Sequence, residues 1–232
     1  MEVEGEIVCS VEKWCSLVDQ LTPGQRDALL DTGIHCMLQI PPIKMRKDLI
    51  RYMVEIFDPK THRFVVKDKV GFTATTIDVE SIYGLKNRGL CATTILDEEF
   101  SPGNPHIPQH FLCKRTNHIV INNLITNIVQ SGSTDDDFVR MTGLVLLGTV
   151  LAPHYLMIVP RIYYILVQDV DRFKELNSNE FTLVHLFAYI RLVRHKTAMS
   201  RWPGGNVSLL QVHIIFQYMH PYIKILIPKI CE

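Results

Sequence analysis

The sequence predicts a mainly α-helical fold, a single multi-helix domain over residues 1–232 with a small β-hairpin near residues 63–73. Three observations carry this expectation. Apolar residues recur at helical spacing in most of the chain, as in Met45, Leu49, Ile50, Met53, Val54 and Phe57. Capping residues and glycine or proline stops bracket those stretches. One pair of short β-prone runs is evident, Phe64-Val65-Val66 and Val70-Gly71-Phe72-Thr73, separated by Lys67-Asp68-Lys69.

Taken in order, a first helix is expected from Val11 to Gln20. A second follows Thr22-Pro23-Gly24-Gln25, where Thr22 can cap, Pro23 suits the first helical position and Gln25 completes a capping box. Gly33 is its stop. Pro41-Pro42 forces extended backbone on Ile40 and Pro41. The stripe above then defines an amphipathic helix from Lys44 to Phe57, with Lys44, Arg46, Lys47, Asp48, Arg51 and Glu55 on the opposite face. Asp58-Pro59 ends it. After the hairpin, Thr75 or Thr76 caps a brief helix that stops at Gly84.

Residues 90–117 contain Pro102, Gly103, Pro105 and Pro108 and read as an irregular loop. Ile121, Leu124, Ile125, Ile128 and Val129 mark the next helix, closed by Ser131-Gly132-Ser133. Thr134-Asp135-Asp136-Asp137 begins another, with acids where the helix dipole favours them. No Asp, Glu, Lys or Arg occurs from Met141 to Pro160. A membrane span needs about 20 continuous apolar helical residues, and Pro153-His154 interrupts this run, so a buried helix is expected. Helices are also expected from Arg161 to Gln168, from Glu180 to about Lys196, and from Val207 to Met219 after the Gly204-Gly205 turn. The last is apolar nearly all round, as a central element would be.

With 47% hydrophobic residues, 232 residues suffice to bury one sizeable core. Basic and acidic residues balance at 24 each, so no overall field gathers nucleic acid or anionic membrane. Six cysteines without a Cys-x-x-Cys pair read as reduced thiols of an intracellular protein. The acidic start Met1-Glu2-Val3-Glu4-Gly5-Glu6 lacks the features of a secretory or organelle leader.

Candidate chemistry is sparse. His106, His110 and Cys113, with His118 nearby, offer metal-ligand types in one loop, but without the paired spacing of a structural zinc site. A histidine-rich surface loop is the competing reading. No Gly-x-Ser-x-Gly elbow or local cysteine-protease signature is present. Asp135-Asp136-Asp137 reads as a helix start and Asp169-x-Asp171 as a helix end with a solvated turn. Gly204-Gly205 lacks the remainder of a phosphate loop. No catalytic residue, metal or cofactor is expected. The loop of residues 90–117 and a basic strip, Arg191, Arg194, His195, Lys196 and Arg201, with Trp202 as a stacking surface, are the candidate contact regions. A solvated helix end explains the residues of the strip as well.

Several pieces resemble the plant mobile domain, a family of plant transposable-element proteins and related host proteins. They are Leu38-Gln39-Ile40-Pro41-Pro42, Phe57-Asp58-Pro59-Lys60-Thr61, and Phe72 to Val79 running into Tyr83-Gly84-Leu85. Leu147 to Pro153, Leu166 to Val170 with Asn177, and Gly204-Gly205 before a hydrophobic helix continue the order. The resemblance spans roughly residues 35–220. The chain departs from it at Lys86, where members often carry proline, at Ser178, where an aromatic often follows the asparagine, and at Asn206, where a cysteine follows the glycine.

The resemblance implies a nuclear protein of transposon-related origin, with the cytoplasm as the alternative location, tied to gene silencing or genome maintenance. It transfers no catalytic residue, and although the family is sometimes labelled aminotransferase-like, no pyridoxal-binding lysine context is found. The cysteine protease domain that often follows such regions is not expected within these residues. The expected function is therefore a non-catalytic interaction module that binds protein partners, without a membrane partner. Direct nucleic-acid binding through residues 191–201 is the alternative. A metal-dependent or cysteine hydrolase assembled from distant segments is a further one, and a decayed mobile-element fragment another. Partner identity and oligomeric state are not legible.

Overall fold

The computed structural model describes residues 11–65, 71–99, 105–154, 156–195 and 204–213. Helix α1 (Val11–Gln20) buries Val11, Trp14, Leu17 and Val18 on one face. The Trp14 indole N–H donates to the Met37 carbonyl at 2.8 Å, so its polar end is satisfied inside the core. Helix α2 (Pro23–Ala28) begins in the Thr22/Gln25 capping box read from the sequence. Gln25 is itself buried and donates to the carbonyls of Ile128 and Ser133, at 3.0 and 3.2 Å. A 3-10 turn, Leu30–Thr32, leads to Gly33 in the left-handed region.

Helix α3 (Lys47–Ile56) buries Ile50, Met53 and Val54. It begins later than the expected Lys44, because Gln211 holds the backbone on both sides of Met45: its side-chain oxygen accepts from Arg46 N–H at 2.6 Å and its amide donates to Lys44 O at 2.8 Å. Strands β1 (Phe57–Asp58), β2 (Arg63–Val65) and β3 (Gly71–Phe72) form an antiparallel sheet in that order, with Phe57 opposite Phe64 and Phe64 opposite Phe72. The expected hairpin is thus β2 and β3, and Phe57, assigned to the helix from its spacing, instead supplies an edge strand. The Phe57 ring lies 5.0 Å from that of Phe64 and 5.4 Å from that of Phe187. Helix α4 (Thr76–Tyr83) is capped by Thr75 with Asp78 and stopped by left-handed Gly84.

The irregular loop expected over residues 90–117 is corrected over its first part. Strand β4 (Leu90–Cys91) pairs in parallel with β7 (Leu176–Asn177), and helix α5 (Ala92–Glu99) follows directly. Acids at the C-terminal end of α5 oppose the dipole, so tertiary contacts stabilise it: Ala92 and Ile95 are buried, and Glu99 pairs with Arg172. Further on, Pro108 opens a short 3-10 turn, Gln109–Phe111.

Strand β5 (Ile119–Val120) pairs antiparallel with β6 (Ile158–Val159). Helices α6 (Ile121–Ser131) and α7 (Asp136–Leu146) meet at Gly132 and the Asp135 cap, in agreement with the sequence. The last turns of α7 are buried all round and widen into a π-helical turn, Leu147–Leu151, before Pro153. Among the described residues no helix is long and apolar enough to cross a membrane.

A 3-10 turn, Arg161–Tyr163, precedes α8 (Tyr164–Val167), and α9 (Val170–Lys174) follows. Asp169, expected at a helix end, also starts α9: its carboxylate accepts from Asp171 N–H at 3.0 Å and Arg172 N–H at 3.1 Å. Helix α10 (Asn179–His195) runs through the core, with Phe181, Leu186, Ile190 and Val193 buried. Residues 207–213 are helical and largely buried, and Asn206 caps them through Leu209 N–H. The rest of the helix expected to Met219 lies outside the described residues.

A half-buried histidine gives the fold a pH signature. His185 on α10 meets the Tyr163 hydroxyl at 2.9 Å beside the Phe181 ring, and burial pushes its imidazole down to about 4. Between an ordinary value of about 6.5 and about 4, the unfolded chain takes a proton that the folded chain excludes, so stability falls as pH drops through that window. His154 and His213, also lowered by burial, act with the same sign. Urea unfolding is expected to lose about 3 kcal/mol at His185 across the window. His185→Gln should flatten the dependence measurably.

Candidate functional site

A cleft of mixed polar and apolar lining lies where segments distant in sequence abut. One wall is the loop after α4. Gly84 turns the chain, and the buried Asn179 side chain donates to the carbonyls of Leu85 and Thr76, both at 3.3 Å. Asn87 folds back onto α4, donating to Thr76 Oγ1 at 3.0 Å. Gly89 then adopts φ 107°, and Leu90 N–H donates to the Glu175 carbonyl at 2.8 Å. A Cβ on Gly89 would stand 2.2 Å from that same oxygen, so no side chain fits there.

Thr32, Gly33 and Ile34 form the opposite wall, close enough that a Cβ on Gly33 would meet the Lys174 carbonyl at 3.0 Å. Phe173 to Leu176 and Ser178 close the back, and Leu146 at the end of α7 with Leu147 and Leu151 of the π-helical turn supply apolar floor. The enclosed volume is about 360 Å³, at the smaller end of ligand sites, which run from about 300 to 1,000 Å³.

Charge at the mouth is uneven. Lys86, Arg88 and Lys174 are the cations of the lining, and Glu175 its carboxylate. Lys174 is tied to Asp171 at 2.8 Å, which holds the Asp171 carboxyl below the usual range and the Lys174 ammonium above its own. Lys86 and Arg88 are exposed and have no ion-pair partner among the described residues. Ser178 is buried, and its hydroxyl makes no hydrogen bond among the described residues. The arrangement can receive an apolar group and hold negative charge above it.

The groups that the sequence singles out lie elsewhere. His110 Nε2 sits 2.9 Å from Asp137, which also pairs with Arg140, while His106 is exposed. Cys113 faces the turn after it: hydrogen bonds from the Thr116 hydroxyl and from the Arg115 and Thr116 amides pull its thiol down to about 7. His106, His110 and Cys113 are therefore not brought together. Among the described residues no three His, Cys, Asp or Glu side chains gather as a metal site.

The basic strip is split. Arg191 is half-buried, with its guanidinium on His62 Nε2, and that imidazole stacks on Phe57 and Phe187. Arg194 is exposed near the end of α10. His195 ends the helix, while Lys196, Arg201 and Trp202 lie outside the described residues.

Motif reading misses the cleft because its walls come from residues 32–34, 85–89, 146–151 and 173–178.

The profile described as Domain of unknown function, DUF8566, matches residues 7–211. The chain belongs to this family. No curated protein and no solved structure matches the chain. The cleft lies wholly within the DUF8566 region.

Gly89→Ala is expected to destabilise the fold by about 2 kcal/mol or more, from left-handed strain plus the clash with Glu175. Gly132→Ala is the control: its φ is 60° and no atom lies within 4 Å of the added carbon, so about 1 kcal/mol is expected. Urea titration of the two variants measures the difference.

Proposed function

We propose that this chain is a non-catalytic interaction module, of plant-mobile-domain type and transposon-related origin, that holds a protein partner in the cleft between Gly33, Lys86 and Lys174. The resemblance supports a nuclear setting in gene silencing or genome maintenance. The observation that carries the binding role is the pair of exposed cations, Lys86 and Arg88, which have no ion-pair partner among the described residues and line a cleft shared with Leu85, Leu147 and Leu151.

The positions of the chain's reactive groups support binding without turnover. Asp78, Asp135 and Asp169 take part in helix caps and His185 is engaged by Tyr163, while Cys113 and the His213–Asp78 pair lie outside the lining of the cleft. Nucleic-acid binding through the basic strip has less support, since Arg191 is engaged by His62 and Arg194 is the strip's exposed described cation. Phosphate recognition draws on several cations acting together.

The test is affinity capture of the tagged chain from its source cells, beside a variant carrying Lys86→Glu and Arg88→Glu, with quantitative mass spectrometry. One or a few proteins should fall about tenfold with the variant, the size of a 1.4 kcal/mol loss, while thermal unfolding stays unchanged. Captured proteins indifferent to the cleft would overturn the reading. So would salt-sensitive DNA or RNA binding that survives the cleft variant and disappears with Arg194→Ala.

A further inference from the structure

Resting on that reading, we propose that the cleft's occupant is an acidic protein segment presenting one bulky apolar side chain. The floor sets the first requirement. Ile34, Leu85, Leu147, Leu151 and Phe173 line the space, and although each keeps only a small exposed area, an apolar group entering among them displaces water from apolar walls. A single large side chain suits an enclosed space of about 360 Å³ better than a chain of bases or sugars would.

The rim sets the second. Lys174 is already neutralised by Asp171, whereas Lys86 and Arg88 belong to a loop pinned by Asn179 and Gly89 and have no ion-pair partner among the described residues. Carboxylates flanking the inserted side chain would meet these cations, and the planar guanidinium of Arg88 suits a carboxylate by two parallel hydrogen bonds. Glu175 opposes any acid placed on its side, so the acids belong toward Lys86 and Arg88. Ser178 adds a hydroxyl able to donate to a backbone carbonyl or carboxylate of the segment.

The surroundings favour a polypeptide over a small free acid. Leu90, next in the chain to Gly89, is 41% exposed, and Leu30, just before Asp31-Thr32-Gly33, is 54% exposed. Apolar side chains therefore stand close in sequence to both walls. A segment continuing past the cleft would cover them, as a ligand confined to it would not.

The experiment is fluorescence anisotropy with a short fluorescein-labelled peptide bearing a central phenylalanine between aspartates. Controls replace the phenylalanine with alanine, or the aspartates with asparagines, and unlabelled phenylpropionate serves as competitor. Saturable binding is expected, weakened about tenfold by Lys86→Gln with Arg88→Gln, since exposed charge pairs contribute roughly two- to fivefold each. The asparagine peptide should lose about as much, the alanine peptide more. Glu175→Gln should strengthen binding about two- to threefold, a gain that a misfolded variant would not give.

Binding indifferent to both Lys86/Arg88 neutralisation and Glu175→Gln would overturn the proposal. Phenylpropionate competing as strongly as the unlabelled peptide would assign a small carboxylate instead and also overturn it. If no acidic peptide binds but capture remains sensitive to Lys86→Glu with Arg88→Glu, the acidic-segment assignment fails while the interaction module stands.

Discussion

The close approach of Gly89 to the Glu175 carbonyl is the contact on which the rest of the architecture turns. Leu90 N–H closes onto that oxygen at 2.8 Å, and parallel pairing of Leu90–Cys91 with Leu176–Asn177 extends the junction. It joins the loop after α4 to the segment between α9 and α10, parts of the chain more than eighty residues apart. Asn179, fully buried at the start of α10, strengthens it through the carbonyls of Thr76 and Leu85. With this junction closed, the 85–89 loop becomes a fixed wall, and Lys86 and Arg88 project from a defined position.

Short-range signals in the sequence are legible. Thr22 with Gln25, Thr75 with Asp78, and Asp135 each start a helix, because capping depends on residues a few positions apart. Gly33, Gly84 and Gly132 each take a left-handed conformation at a stop. The departures from expectation are non-local. Leu90–Glu99 looks like loop in the sequence because its pairing partner, Leu176–Asn177, lies far along the chain and its trailing acids weaken the helical signal. Phe57 continues the helical stripe, yet cross-strand pairing with Phe64 draws it into the sheet.

The candidate site is illegible in the sequence for the same reason, since no motif spans Thr32, Lys86, Leu147 and Lys174. Conversely, the groups that look chemical in the sequence have structural occupations: Asp169 caps, His110 sits on Asp137, and Arg191 rests on an imidazole within an aromatic stack. Two cations with no ion-pair partner among the described residues, on a wall held by hydrogen bonds, give the cleft its character. The proposed recognition role of this DUF8566 domain rests on them.

Because the hydrogen bond from Leu90 N–H to the Glu175 carbonyl closes the junction, amide hydrogen exchange at Leu90 is the most direct measurement. In the free chain this amide should exchange as slowly as buried amides of α10 such as Ile190, and Asn179→Ala should accelerate it. Exchange at the rate of an exposed loop, with α10 still protected, would contradict a fixed wall and the site built on it.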